Sequence, residues 1–313
     1  MEKVVVIGGK GKVGTYLVPL LCRAGYRVTN VSRGNREAYI PDPCWQEVEQ
    51  VALNRETPDF PAQIAALRPD VVVDMICFRS EDMLRLMDAL EGQVRHYLVT
   101  GSVWMHGPSV EVPYGEDMAR NPMDTYGTQK HLMDLALQRR YATKGFPGTA
   151  VHPGHIVGPG HVPINPQGNQ NLAVFSALRH GEAVVLPNLG METLHHVHAA
   201  DVAGVFMAAL RGGAVSYGQG FHAVSPRAVT LAGYAREVAR WYGREANLIF
   251  QPFGDWAKGR SEGEVRLTLD HLAHSPNASM EKACRLLGFT PRYSSFQAVR
   301  EALDWLVDQG MVR

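Results

Sequence analysis

Residues 4–14 read Val4-Val5-Val6-Ile7-Gly8-Gly9-Lys10-Gly11-Lys12-Val13-Gly14. Four consecutive branched apolar residues predict a strand buried on both faces. Glycines at 8, 11 and 14 then punctuate the chain, and residues 13–24 follow with helical spacing. Strand, tight turn and helix in that order predict the start of a βαβ unit. The same beat continues downstream: 27–32, 70–76, 95–100 and 149–152 are short runs rich in Val, Ile or Leu, while 61–67, 81–90 and 126–144 have helical spacing. This alternation predicts an α/β fold, a Rossmann doubly wound parallel sheet. Between 32 and 70 the one strand candidate is 48–53, and its pattern is poor.

The texture changes after 153. Residues 153–170 hold four prolines and four glycines with little periodicity. Helical segments are expected at 171–180, 199–210, 231–242, 279–287 and 295–309, and strands at 183–186 and 221–224. The expected organisation is a Rossmann domain at 1–160 and about 195–225, with a smaller substrate-binding cap at 161–194 and 226–313.

Composition narrows the function classes. The chain has 313 residues, 45% apolar and 20% charged, with 31 basic and 31 acidic side chains. That is an ordinary globular balance, and the neutral total gives no sign of a nucleic-acid or anionic-membrane partner. No apolar run approaches the roughly 18–20 residues of a membrane span. Cys22, Cys44, Cys77 and Cys284 form no Cys-x-x-Cys pair or disulfide framework, so free thiols in a reducing, cytoplasmic compartment are expected. The strand-like first residues leave no room for a signal peptide.

The glycine loop carries the first chemistry. Gly8 allows a sharp turn, Gly11 lets a pyrophosphate approach the backbone, and Gly14 lets the helix lie close to the strand. Phosphates would then sit at a helix N-terminus. A carboxylate usually ends the second strand of such a fold, to hold ribose hydroxyls. Here the strand ends Val31-Ser32-Arg33-Gly34. Arg33 can clamp a ribose 2′-phosphate, and Lys10 and Lys12 add positive charge, so NADP is preferred over NAD.

Tyr126-Gly127-Thr128-Gln129-Lys130 puts a phenol and an ammonium at i and i+4 of a helix, on one face. An ammonium there is expected to lower the phenol pKa toward neutrality and fit it for proton exchange. The strand at 95–100 ends in Gly101-Ser102, where ligands of a parallel sheet bind, so Ser102 can share a substrate oxygen with Tyr126.

With these residues in order, the chain resembles the extended branch of the short-chain dehydrogenase/reductase superfamily, the NAD(P)-dependent epimerase/dehydratase family. The match runs through the glycine loop, Ser102 with its downstream Gly107, Tyr126-x-x-x-Lys130, the segment 151–160, and His198-Ala199-Ala200-Asp201-Val202-Ala203. The resemblance implies Ser102, Tyr126 and Lys130 as catalytic triad, with Lys130 also on the nicotinamide ribose. It implies cofactor contacts at Gly8, Gly11, Lys12, Val13, Gly14, Ser32, Arg33, Asn54 and Pro153. Asn54 stands where the family has an Asp near the adenine. A homodimer through the Tyr-bearing helix and the one before it is also implied.

Departures concern the substrate. Thr193-Leu194-His195-His196-Val197-His198 lacks the Arg that nucleotide-sugar epimerases often carry, and His152 and His155 occupy the segment of another Arg and an Asn. Asn171-Leu172 resembles a remnant of that pattern. Val103 and Trp104 follow Ser102 in place of the Asp-Glu of a dehydratase. Expected substrate contacts are Cys77, Phe78, Trp104, His106, His155, Asn171 and His196, with core packing as the alternative for Trp104 and for Cys77. His195, His196, His198 and Asp201 suggest a metal by type, yet on a strand His195 points away from the other two, so none is expected. The reading is an NAD(P)-dependent oxidoreductase or epimerase of a sugar-like hydroxy/keto substrate, in carbohydrate metabolism. Its alternative is a non-catalytic NADP-sensing or RNA- or protein-binding relative.

Overall fold

In the computed structural model, which describes residues 1–34 and 37–313, the opening apolar run lies at the heart of a seven-stranded parallel sheet. The first half comprises β1 (Lys3–Ile7), α1 (Gly14–Arg23), β2 (Arg27–Ser32), β3 (Glu49–Ala52), α2 (Phe60–Ala66), β4 (Val71–Asp74), α3 (Ser80–Leu90), β5 (His96–Thr100), α4 (Thr125–Lys144) and β6 (Gly148–Pro153). Next come β7 (His155–Val157), α5 (Ala173–His180), β8 (Ala183–Pro187), β9 (Thr193–Leu194), β10 (His196–His198), α6 (Ala199–Gly212) and β11 (Gln219–Ala223). The chain closes with β12 (Val229–Thr230), α7 (Leu231–Trp241), β13 (Asn247–Gln251), α8 (Phe253–Trp256), α9 (Glu262–His274), α10 (Glu281–Leu287) and α11 (Ser295–Asp308).

The strand order is β11-β6-β5-β4-β1-β2-β3. The order reverses between β1 and β4, and that switch point opens a crevice at the carboxyl ends of the strands. Alternate residues of β1 serve opposite faces. Val4 and Val6 pack with Leu17, Leu21, Val202 and Phe206 of α1 and α6. Val5 and Ile7 pack with Leu86, Met87 and Leu137 of α3 and α4. A separate core of Phe175, Leu186, Tyr234 and Leu303 holds the later segments together. Among the described residues no helix is long and apolar enough to cross a membrane.

The poor strand pattern at 48–53 has a physical reason. β3 is the sheet edge, and its pairing with β2 is reinforced by polar side chains, Thr29 to Glu49 (2.7 Å) and Asn30 to Gln50 (2.8 Å). Several elements went unread: the short β9, β12 and α8, and the longer β13 and α9. β13 pairs with β8 but is largely exposed, so it lacks a buried face to signal it. Helix α9 buries Thr268, His271 and His274 beside Leu272, so its inward face is polar and shows no apolar period. Its start did carry a signal, Ser261 accepting from Glu264 N with acidic residues in the first turn.

The irregular stretch after 160 is stapled by buried amides. Asn165 donates to Asn169 Oδ1 (2.6 Å) and Asn171 O (2.9 Å), Asn169 to Thr268 Oγ1 (3.0 Å), and Gln167 to Val185 O (2.7 Å). These bonds fix Ile164 and Gln170 at the mouth of the crevice.

Candidate active site

Two adjoining clefts run along the carboxyl edge of the sheet and share Gly8, Gly11, Ile76 and Phe78. The first, of about 490 Å³, is bordered by the glycine loop, by Ser102, Tyr126 and Lys130, and by Pro153. The second, of about 890 Å³, is bordered by Ser32, Arg33, Asn54 and Arg55. A dinucleotide fits this pair by the shape of the loop. Gly8 has φ +85°, and a Cβ on Gly14 would fall 2.1 Å from Gly9 O. Asn30 Oδ1 accepts from Gly9 N (2.9 Å) and holds the turn. Helix α1 starts with no side-chain cap; Thr15 N and Tyr16 N donate to Gly11 O and Val13 O (3.0 Å each), so a phosphate would meet the loop N–H groups just before them. Lys12 borders the first cleft and Lys10 the second. Arg33 makes no ion pair among the described residues, whereas Arg55 is locked bidentate onto buried Asp74 (2.7 and 2.8 Å).

Helix α4 begins at Asp124, whose side chain accepts from Gly127 N (2.6 Å), and this sets Tyr126 in the first turn. Lys130 is fully buried, and its ammonium donates to Cys77 O and Thr100 O (2.7 Å each). It also lies 5.0 Å from the Phe78 ring centre and 5.6 Å from that of Tyr126. Burial pulls the Lys130 pKa down to about 8. The expected lowering of the Tyr126 phenol does not appear here. Desolvation pushes it up, a hydrogen bond with Ser102 pulls down without prevailing, and Asp124 adds to the rise. The residue as a whole stays 40% exposed and borders the cleft.

One turn beyond Lys130 on the same face, Asp134 reaches into the sheet. It meets His152 Nε2 (3.0 Å) and Arg120, and all of the Asp134 and His152 side-chain surface is buried. Burial favours the protonated acid, yet His152 and Arg120 hold the Asp134 carboxyl well below the usual range. His152 occupies a slot between two glycines. A Cβ on Gly101 would fall 2.0 Å from its Nδ1, and one on Gly220 2.5 Å from its Nε2. The Tyr126 helix is thereby tied to β6 beside the strand end that carries Ser102.

Phe78, Trp104, His155 and His196 border the first cleft, so Trp104 is both wall and packing. Three expected substrate contacts do not. The Cys77 thiol is buried, donates to Arg79 O (3.4 Å) and is pushed up to about 12 by burial; its carbonyl faces Lys130. His106 is fully buried behind the strand end, sharing a proton with His222 across 3.0 Å and packing on Tyr114. Asn171 accepts from Ala173 N (3.0 Å) at the start of α5 and reaches Glu264, so its neighbour Gln170 borders the cleft in its place.

The three later histidines have separate partners. His195 meets Ser225 O (2.8 Å), His196 meets Ile164 O (3.1 Å), and His198 caps α6 through Ala200 N (3.0 Å). Among the described residues no group of three His, Cys, Asp or Glu is arranged to hold a metal. Sequence reasoning missed Asn30, the Arg55–Asp74 pair, Asp134 with His152, and His271 and His274 behind Trp104. Of these only Asp134 had a local signal, its spacing of four from Lys130.

Comparison with known proteins places the chain in a family. A model of the NAD dependent epimerase/dehydratase family matches residues 4–218. The 2'-dehydrokanamycin reductase of Streptomyces kanamyceticus is 27% identical over 99% of this chain and 86% of its own length. Chloroplast stem-loop binding protein of 41 kDa b from Arabidopsis thaliana is 23% identical over 100% of this chain and 81% of its own. Among solved structures, UDP-glucose 4-epimerase of Thermotoga maritima, crystallised with UDP-glucose, superposes with a TM-score of 0.75 at 18% identity, over 98% of this chain and 99% of that one.

Proposed function

The chain belongs to the NAD dependent epimerase/dehydratase family, and from that premise we propose an NADP-preferring oxidoreductase or epimerase acting on a sugar-like hydroxy/keto substrate. The observation that carries this reading is the convergence of Ser102, Tyr126 and Lys130 on one wall of a cleft whose other wall is the glycine loop. When bound, a nicotinamide dinucleotide would supply the hydride exchange. Ser102 orients the substrate oxygen, and Tyr126 passes a proton between its hydroxyl and that oxygen. Lys130 has three N–H groups, two of them engaged by carbonyls. The third is left for a ribose hydroxyl. A cation held this close to the ring offsets part of the desolvation that raises Tyr126.

Arg33, exposed beside the second cleft and without an ion pair among the described residues, supports NADP over NAD through the 2′-phosphate. In this proposal 1–160 and about 195–225 hold the cofactor, and 161–194 with 226–313 close over the substrate. Leu84 on α3 and Leu132 and Leu135 on α4 are exposed and support a homodimer through these helices. Four free cysteines support the cytoplasmic location. A binding role is favoured by one observation, the likeness to a stem-loop binding protein. RNA binding at two salt concentrations separates the two readings. The deciding test is Tyr126→Phe, which abolishes turnover and leaves NADP(H) affinity nearly intact; undiminished turnover refutes the mechanism.

A further inference from the structure

The substrate end of the first cleft is walled by imidazoles with ring nitrogens that have no partner among the described residues. His196 donates from Nε2 to Ile164 O (3.1 Å), which fixes its tautomer and leaves Nδ1 a buried, unpaired acceptor. His155 stands beside it in register on β7, and neither of its ring nitrogens is bonded. A neutral imidazole carries one donor and one acceptor, so His155 offers both. The His155 ring is boxed by His196, His271 and Trp104, with centroids at 5.7, 4.8 and 6.3 Å. Trp104 is backed by His274, stacked at 4.1 Å. The box leaves His155 little room to turn away from a ligand.

Charge narrows the ligand further. Among the described residues no Asp, Glu or Arg borders this cleft, and its lysines lie at the glycine loop (Lys12) and under two carbonyls (Lys130). Burial, aided by mutual repulsion, keeps His155, His196 and His271 neutral. A carboxylate or diphosphate would find no cation here, and an ammonium no counter-charge. Building on the function proposed above, we infer that the substrate is an uncharged, ring-sized hydroxy/keto compound and that His155 is its specificity residue. His155 donates to one substrate oxygen and accepts from a neighbouring hydroxyl, while His196 Nδ1 accepts from a further hydroxyl.

The test is thermal unfolding of the protein loaded with NADPH, which forms dead-end complexes with hydroxy compounds. The probes are glucose, myo-inositol, glucuronate, glucosamine and UDP-glucose, each at saturating concentration. The expected result is a further rise of about 2 °C with glucose or myo-inositol and none with the three charged probes. His155→Phe keeps the NADPH shift and loses the sugar shift. His155→Gln, which retains a donor and an acceptor, recovers part of it. Equal shifts with a charged probe, no shift with either neutral probe, or a sugar shift that survives in His155→Phe overturns the inference. A protein that NADPH itself does not stabilise overturns the proposed function instead.

Discussion

Mild acid should unfold this protein steeply. Burial holds ten histidines below their ordinary value, namely His96, His106, His131, His155, His161, His195, His196, His198, His222 and His271. His96, His161 and His196 fall to about 3, and His106, His195, His198 and His271 to about 4. For a base depressed on folding, the unfolded chain takes up the proton first, near pH 6.5. The stability is therefore complete above that pH and lost as pH falls toward 4. Each proton bound only by the unfolded chain changes stability by about 1.4 kcal/mol per pH unit. Glu116, Asp201 and Glu301, raised by burial, act in the opposite sense and offset part of the slope. The net loss between about pH 7.5 and 5.5 is on the order of 10 kcal/mol, comparable to the whole stability of a typical domain. Urea unfolding followed by tryptophan fluorescence at a series of pH values gives the proton count from the slope. His161→Phe, which removes two unpaired ring nitrogens from the interior, should lower that count by about one. A slope worth fewer than three protons, or unchanged stability at pH 5, refutes the reasoning.

Three perturbations test the site. Arg33→Ser should weaken NADPH binding about 10- to 100-fold and leave NADH nearly unaffected, because only the former carries the 2′-phosphate; fluorescence titration reads both. Asp134→Asn leaves Arg120 without its counter-charge and His152 without its carboxylate partner, and should cost about 3 kcal/mol in urea unfolding. Gly101→Ala drives a methyl into His152 and should cost about 2–3 kcal/mol; His152→Ala in the same chain should relieve much of that cost, a non-additivity that a double-mutant cycle measures.

What was legible in the sequence depended on whether a physical demand was local. β1 is buried on both faces, so Val4 to Ile7 form an unbroken apolar run. The glycine loop and Tyr126-x-x-x-Lys130 are constrained within a single turn, and their side chains border one cleft. β3 was faint because Glu49 and Gln50 bond side chains of β2 in place of burying an apolar face. α9 lacked an apolar period because it turns His271 and His274 inward, its cap signal at Ser261 went unread, and with it the wall behind Trp104 was missed. Arg55–Asp74 and Asp134–His152 join residues that only the sheet brings together. The phenol shift was misjudged because spacing shows a neighbouring charge and does not show desolvation. His106 was misplaced for a related reason: it follows Ser102 by four residues, but the intervening 3-10 turn carries it into the interior beside His222.

The most direct test of the central claim compares wild type with Tyr126→Phe in two readings on the same preparations, NADPH affinity and turnover of an uncharged ring ketone, followed as cofactor oxidation or isomer formation. The account predicts turnover reduced by about 10²–10⁴-fold with NADPH affinity nearly unchanged, because Tyr126 moves the proton and does not hold the phosphates. Turnover at the wild-type rate, or loss of NADPH binding in step with turnover, would contradict it.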